Sequence, residues 1–139
     1  MFNQQLLLNG EDSALVTFKV DTFRIEHFQL KYLGYDYSNA GMQQAVYSAA
    51  DKYDTLLNRY YQKLLVLIGK EDKNTLILAQ RTWLLFRANE MKLVQLLSDE
   101  KYSGGGTMQQ LVFAEYYLDL IRERTCNLFQ HYAMISTMH

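Results

Sequence analysis

Proline is absent from all 139 residues, so nothing in this chain kinks a helix or removes an amide donor from its interior. Segment lengths are then set by apolar spacing, capping residues and glycine. One stretch begins near Ser38 or Asn39, either suited to cap it. It carries Met42, Val46, Ala49, Tyr53, Leu56, Tyr60, Leu64 and Leu67 at steps of three and four. Gly69 is its expected stop, in the left-handed conformation common just past helix ends, and the helix would measure about 45 Å at ~1.5 Å per residue. A second stretch runs from a cap at Asp72 or Asn74 through Leu76, Ala79, Trp83, Phe86, Leu93 and Leu97. A third opens with Thr107-Met108-Gln109-Gln110, whose first and last side chains would satisfy each other's backbone donors as a capping box. It continues through Leu111, Glu115, Leu118, Ile121, Thr125 and Leu128. Short connections favour antiparallel neighbours. The expected fold is all-α, an elongated antiparallel bundle of three long helices.

The first 38 residues read differently. Asp21 to Leu33 has the pattern of a shorter N-terminal helix, with Asp21 as cap, Ile25, Phe28 and Tyr32 on one face and Gly34 as stop. Upstream, Ala14 to Val20 alternates weakly and is rich in β-branched residues, and Asn9-Gly10 is a turn signal. A small extended arm or hairpin is expected there. No repeat, linker or low-complexity segment divides the chain. The reading is one helical domain over 1–139, with the arm and short helix in 1–38 and the three-helix core in 39–139.

Composition narrows the function classes. Fourteen basic residues stand against fifteen acidic ones without a Lys/Arg cluster, which argues against nucleic acid as a partner. The apolar run Leu64-Leu65-Val66-Leu67-Ile68 is too short for membrane insertion. Met1 to Gly10 lacks the basic and apolar regions of a signal peptide. Two readings stay open, an intracellular protein or one whose leader was replaced by a start Met. The single cysteine, Cys126, allows no disulfide within the chain and no cysteine-based metal site. Eleven tyrosines suit helix cores and binding surfaces alike, because the ring packs while the hydroxyl stays hydrogen-bonded.

Two constellations carry polar chemistry. Gln80, Trp83, Arg87 and Glu90 follow i, i+3, i+7, i+10 and so share one helix face. An amide, an indole, a guanidinium and a carboxylate on one face must satisfy each other or a partner. Arg87 and Glu90 are spaced to pair within the helix. Asp54 and Asn58 from the first long helix, or Arg124 from the third, would complete a network that fixes register or frames a pocket. The second constellation is the loop Tyr102-Ser103-Gly104-Gly105-Gly106-Thr107, a mobile turn or a partner-binding surface. No nucleophile elbow, phosphate loop, His-Glu-x-x-His or Glu-x-x-His pair occurs. No catalytic residue, metal site or cofactor is expected, and the protein is read as not an enzyme.

Three blocks together carry a family resemblance. They are Ala40-Gly41-Met42 leading to Asp54-x-x-Leu57-Asn58-x-x-Tyr61; Ala79-Gln80-Arg81-x-Trp83-x-x-Phe86-Arg87-x-x-Glu90; and Tyr102-x-Gly104-Gly105-Gly106-Thr107-Met108 with Arg122-x-Arg124-Thr125. In this order, over roughly Asp36 to Tyr132, they resemble the LprI-type lysozyme inhibitor N-terminal domain family of bacteria. The resemblance implies a small helical protein exported to the periplasm or beyond, in a family whose type member is implicated in inhibiting host lysozyme. Many members carry cysteines that clip the bundle; this chain has Ala45, Met91 and Tyr116 where they would fall, so that disulfide framework is absent.

Three functions follow as expectations. The first is a non-enzymatic interaction protein of the bacterial envelope, an inhibitor or immunity-type binder of a muramidase, toxin or other wall-active enzyme, with the glycine loop as plug. The alternative is a structural or adaptor bundle with no enzyme target, homodimeric through its tyrosine-rich face. A third is a small-molecule or catalytic pocket built on Trp83, Arg87 and Glu90.

Overall fold

The computed structural model describes residues 13–137, which are all-α: these residues are 86% helical, with no strand among them. Helix α1 spans Ser13–Leu33, α2 Asn39–Leu67, α3 Lys73–Leu97, α4 Glu100–Ser103 and α5 Met108–Ser136. The extended arm expected over Ala14 to Val20 is instead the first two turns of α1. Phe18 decides the matter. On a helix it lines up with Ile25 seven residues on, and both are buried, so tertiary packing overrides the β-branched preference of Val16, Thr17 and Val20. The turn expected at Asn9-Gly10 lies outside the described residues.

Helix α2 forms the centre because its spacing is kept to the end. Ala45, Ala49, Tyr53, Leu56, Tyr60 and Leu64 are all buried, as are Val46, Ala50 and Leu57 one position along. The alanines let α5 approach closely, and α5 answers with Ala114 and Thr125, both fully buried. Thr125 is acceptable in an apolar core because its hydroxyl donates to the Ile121 carbonyl at 2.7 Å, with the Tyr53 carbonyl a second acceptor at 3.3 Å. Contacts between α2 and α5 ascend together: Gln43 with Gln110, Tyr47 with Tyr117, Tyr60 with Phe129 and Tyr132. Contacts from α1 to α2 run in the opposite order: Phe18 with Tyr60, Asp21 with Arg59, Glu26 with Tyr53. Phe18 stacks on Phe129 at 4.1 Å while the Tyr60 ring meets both edge-on. One aromatic cluster therefore joins α1, α2 and α5.

Helix ends follow the expectations at α1's end, where Leu33 is followed by Gly34, and at α2's start. Ser38 caps α2, its Oγ accepting from the Gly41 amide at 3.0 Å, and the Asp36 carboxylate accepts from the Ser38 amide at 2.9 Å. Gly41 makes room for this: a Cβ there would overlap the Asp36 carboxyl group. Gly69 does not take the left-handed conformation. The last residue capping α2 is Ile68, in extended backbone. The Lys73 ammonium reaches back from α3 to the Leu65 and Ile68 carbonyls, satisfying orphan acceptors that a left-handed glycine would otherwise serve. The Thr107 capping box does not form either. Thr107 already has helical backbone angles and makes no side-chain cap bond, whereas a capping box needs an extended first residue. Asp72 precedes α3 in the same way, without a side-chain cap.

Helix α3 uses a single face to join the others, and that face keeps Leu76 and Trp83 of the expected one but not the rest. Leu76, Gln80 and Met91 are buried and Trp83, Arg87 and Val94 are half-buried. Phe86, Leu93 and Leu97, expected inside, are exposed.

Candidate functional site

The polar stripe lies on that inner face of α3 and reaches two neighbouring helices. Arg124 Nε on α5 donates to Gln80 Oε1 at 3.0 Å, which satisfies the one buried amide of the stripe. Arg87 Nη1 reaches Asp54 Oδ1 on α2 at 3.4 Å. The Arg87–Glu90 pair suggested by spacing is not made. Asp54 takes the guanidinium, and Glu90 Oε2 instead accepts from the Tyr116 hydroxyl at 2.9 Å, a hydrogen bond that raises the phenol's pKa. Both guanidiniums sit at the Trp83 ring, Arg87 at 5.0 Å from its centre and Arg124 at 5.9 Å, and Arg87 also lies 5.7 Å from the Tyr117 ring. Asn58 is exposed and joins none of these bonds. The stripe is thus wet at its edge: the Arg87 side chain is 21% exposed and Asp54 42%. Burial still weighs on Arg124, whose pKa is lowered by desolvation without threatening its charge.

A second polar cluster, unforeseen from sequence, joins α1, α2 and α5 on another side of the molecule. Glu26 Oε1 accepts from the Tyr53 hydroxyl at 2.6 Å and from Arg122 Nε at 3.0 Å, and Arg122 Nη1 reaches Asp119 at 2.8 Å. Burial first, then the bond to the Glu26 carboxylate, pushes the Tyr53 phenol far above its ordinary value. Beside this cluster a groove of about 760 Å³ runs over Phe18, Phe23 and Cys126. Burial pushes the Cys126 thiol up, which keeps it protonated and a poor nucleophile. Glu26 and Arg122 stand 96 residues apart, and no local spacing announces such a pair. The nearest signal was Arg122 itself, within the third block.

The glycine loop closes the far end of α3. Asp99 caps the short α4, its carboxylate accepting from the Lys101 amide at 3.1 Å. Gly104 ends α4 in left-handed geometry, and Gly105 and Gly106 follow at φ 81° and 108°. Three successive positive φ values are a path that only glycine follows without strain. Ser103 Oγ anchors the turn, donating to the Ser98 carbonyl at 2.9 Å and accepting from the Gly105 amide at 3.1 Å. Tyr102 stands out from it, 60% exposed, with the Lys101 ammonium 5.2 Å from its ring. Thr107 is exposed as well. Next to Gly106 is a groove of about 540 Å³ lined by Gln43, Gln95, Gln109 and Gln110 with Tyr47 and Phe113. The loop and the stripe are separate places: none of the stripe's hydrogen bonds involves Tyr102 to Thr107.

Among the described residues no group of His, Cys, Asp and Glu is arranged to hold a metal ion, and no helix is long and apolar enough to cross a membrane. No curated protein and no solved structure matches the chain. The family model for the lysozyme inhibitor LprI matches residues 34–128, a span that holds α2, α3, the glycine loop and most of α5. Stripe and loop both fall within it, and the chain belongs to the lysozyme inhibitor LprI family.

Proposed function

We propose that this protein is a non-enzymatic inhibitor that binds a lysozyme-like, wall-active enzyme and seats the loop Tyr102, Ser103, Gly104, Gly105, Gly106, Thr107 in its substrate cleft. The family supports the class of partner. The observation that carries the choice of surface is the exposed Tyr102 on a backbone that bears no side chain for the next three glycines. Nothing lies within 4 Å of where a Cβ would sit on Gly104 or Gly106, so the loop is thin enough for a partner's walls to close on it. Tyr102 supplies a rigid amphipathic anchor, the residue type that dominates interface energetics. Glycoside hydrolases place two carboxyl groups about the scissile bond, and the Lys101 ammonium beside Tyr102 is suited to meet them. The groove next to Gly106 offers the side-chain amides of Gln43, Gln95, Gln109 and Gln110 to the cleft rim, beside the Asp99 carboxylate.

In this reading the stripe of Gln80, Trp83, Arg87, Glu90, Asp54 and Arg124 is a fastening and not a pocket, because Gln80, Arg87, Glu90, Asp54 and Arg124 each bond a partner on another helix. The descending order of its contacts, Gln80 with Arg124 and Glu90 with Tyr116, supports an antiparallel, up-down-up arrangement of α2, α3 and α5 within one domain. That arrangement holds the loop at one end of the bundle. The test is a calorimetric titration of the protein against a muramidase. Tyr102→Ala should weaken binding by roughly 2 kcal/mol or more, about thirtyfold, with an unchanged thermal melt. Equal binding by wild type and variant would remove the loop from the interface.

A further inference from the structure

Seen down its axis, α3 has two apolar faces, and only one is used. The inner face holds Leu76, Trp83, Met91 and Val94. On the opposite side Leu78, Leu85, Phe86, Leu93, Leu96 and Leu97 are each between 48% and 64% exposed. Leu78, Thr82, Leu85, Asn89, Leu93 and Leu96 step by four, three, four, four and three, the spacing of a helix-to-helix seam. Phe86 and Leu97 widen it on one flank. The stripe runs nearly the length of a 25-residue helix, and a contiguous apolar surface of that kind marks an interaction site.

We propose that this face is a homodimer interface, in which α3 packs against α3 of a second copy about a two-fold axis near Asn89. Area and chemistry both favour a second copy. Six side chains about half exposed, five leucines and a phenylalanine, supply most of the apolar area of the face. Thr82, Asn89 and the stems of Arg81 and Lys92 extend this toward the ~800 Å² per partner of a standard interface. Asn89 is the one amide in the seam and lies near its middle. An amide carries both a donor and an acceptor, so it is complementary to itself, and a single such residue in a leucine seam fixes register between identical helices. A lipid surface would be a poorer occupant, since Thr82 and Asn89 would sit at the deepest part of the buried face. Leu78, Leu85, Asn89 and Leu96 lie on the side of α3 opposite Leu76, Arg87 and Val94, so substitutions there leave the stripe, the aromatic cluster and the core untouched.

Sedimentation velocity of the full chain over a concentration series tests this. The wild type should pass from 16.3 kDa to twice that mass as concentration rises through the micromolar range. Leu85→Glu and Leu96→Glu should each raise the dissociation constant at least about thirtyfold, with the circular-dichroism melt of dilute monomer unchanged. Asn89→Asp places two like charges across the axis and should weaken the dimer more at pH 7 than at pH 3, where the aspartates are largely neutral. A wild type that stays monomeric throughout overturns the proposal, including one that instead sediments with lipid vesicles. So does a dimer that none of the three substitutions affects.

Discussion

Replacing Arg87 with alanine tests whether the stripe fastens α3. The structure sets the size of the effect. Arg87 lies 3.4 Å from Asp54 with both side chains in partial contact with water, and exposed pairs contribute about 0–1 kcal/mol. Its contact with Trp83 at 5.0 Å adds about 0.5–1 kcal/mol. Packing of the aliphatic stem against the rings adds about another 1 kcal/mol. The total is about 2 kcal/mol, below the ~3–5 kcal/mol of a fully buried pair broken on one side, because Asp54 can rehydrate. Trp83 is the only tryptophan and sits beneath both guanidiniums, so its fluorescence during urea unfolding reads the site directly. A double-mutant cycle with Asp54→Ala should return a coupling below about 1 kcal/mol, and Arg87→Met, which keeps the stem, should recover part of the loss. A loss above about 4 kcal/mol with strong coupling would mean a dry ion pair. A loss within about 0.5 kcal/mol, the range of an ordinary surface substitution, would mean that the stripe fastens nothing.

Two further outcomes follow from other sites. Gly41→Ala should lower the melting temperature, and adding Asp36→Gly should recover part of that loss, because the new methyl group clashes with both the carboxyl group and the Cβ of Asp36; a double variant no better than the single one refutes the clash. Burial raises the phenol pKa of both Tyr53 and Tyr60, the latter to about 12. The folded state then holds its protons while the unfolded chain loses them near pH 10, so the contribution of these two groups to stability is level below about pH 10 and falls from there upward. Urea midpoints across pH 8 to 12 should show a shallower fall in Tyr53→Phe than in wild type, and an equal slope would contradict the assignment.

The parts legible in the sequence were those decided by neighbours three and four residues apart. The seam of α2 from Val46 to Leu64 and the Ser38 cap are of this kind, as is the shared face of Gln80, Trp83 and Arg87. What was illegible was decided by distant parts of the chain. Arg87 and Glu90 are correctly spaced for each other, yet Asp54 and Tyr116 outbid that weak helix-surface pair. Leu93 and Leu97 looked like core because α3 is apolar on two sides, and periodicity does not say which side meets α5. The strand-like run Ala14 to Val20 became helix because Phe18 had Phe129 and Tyr60 to stack on. Glu26 carries no local signal of a site residue, since its partners Tyr53 and Arg122 come from elsewhere in the chain.

Inhibition of a muramidase tests the account most directly. The rate at which the enzyme clears a suspension of bacterial cell walls is followed as this protein is titrated in, with Tyr102→Ala in parallel. Inhibition should saturate, approaching one inhibitor chain per enzyme, with the Tyr102→Ala curve displaced by about thirtyfold or more. Undiminished clearance at a large excess of folded wild type would contradict it.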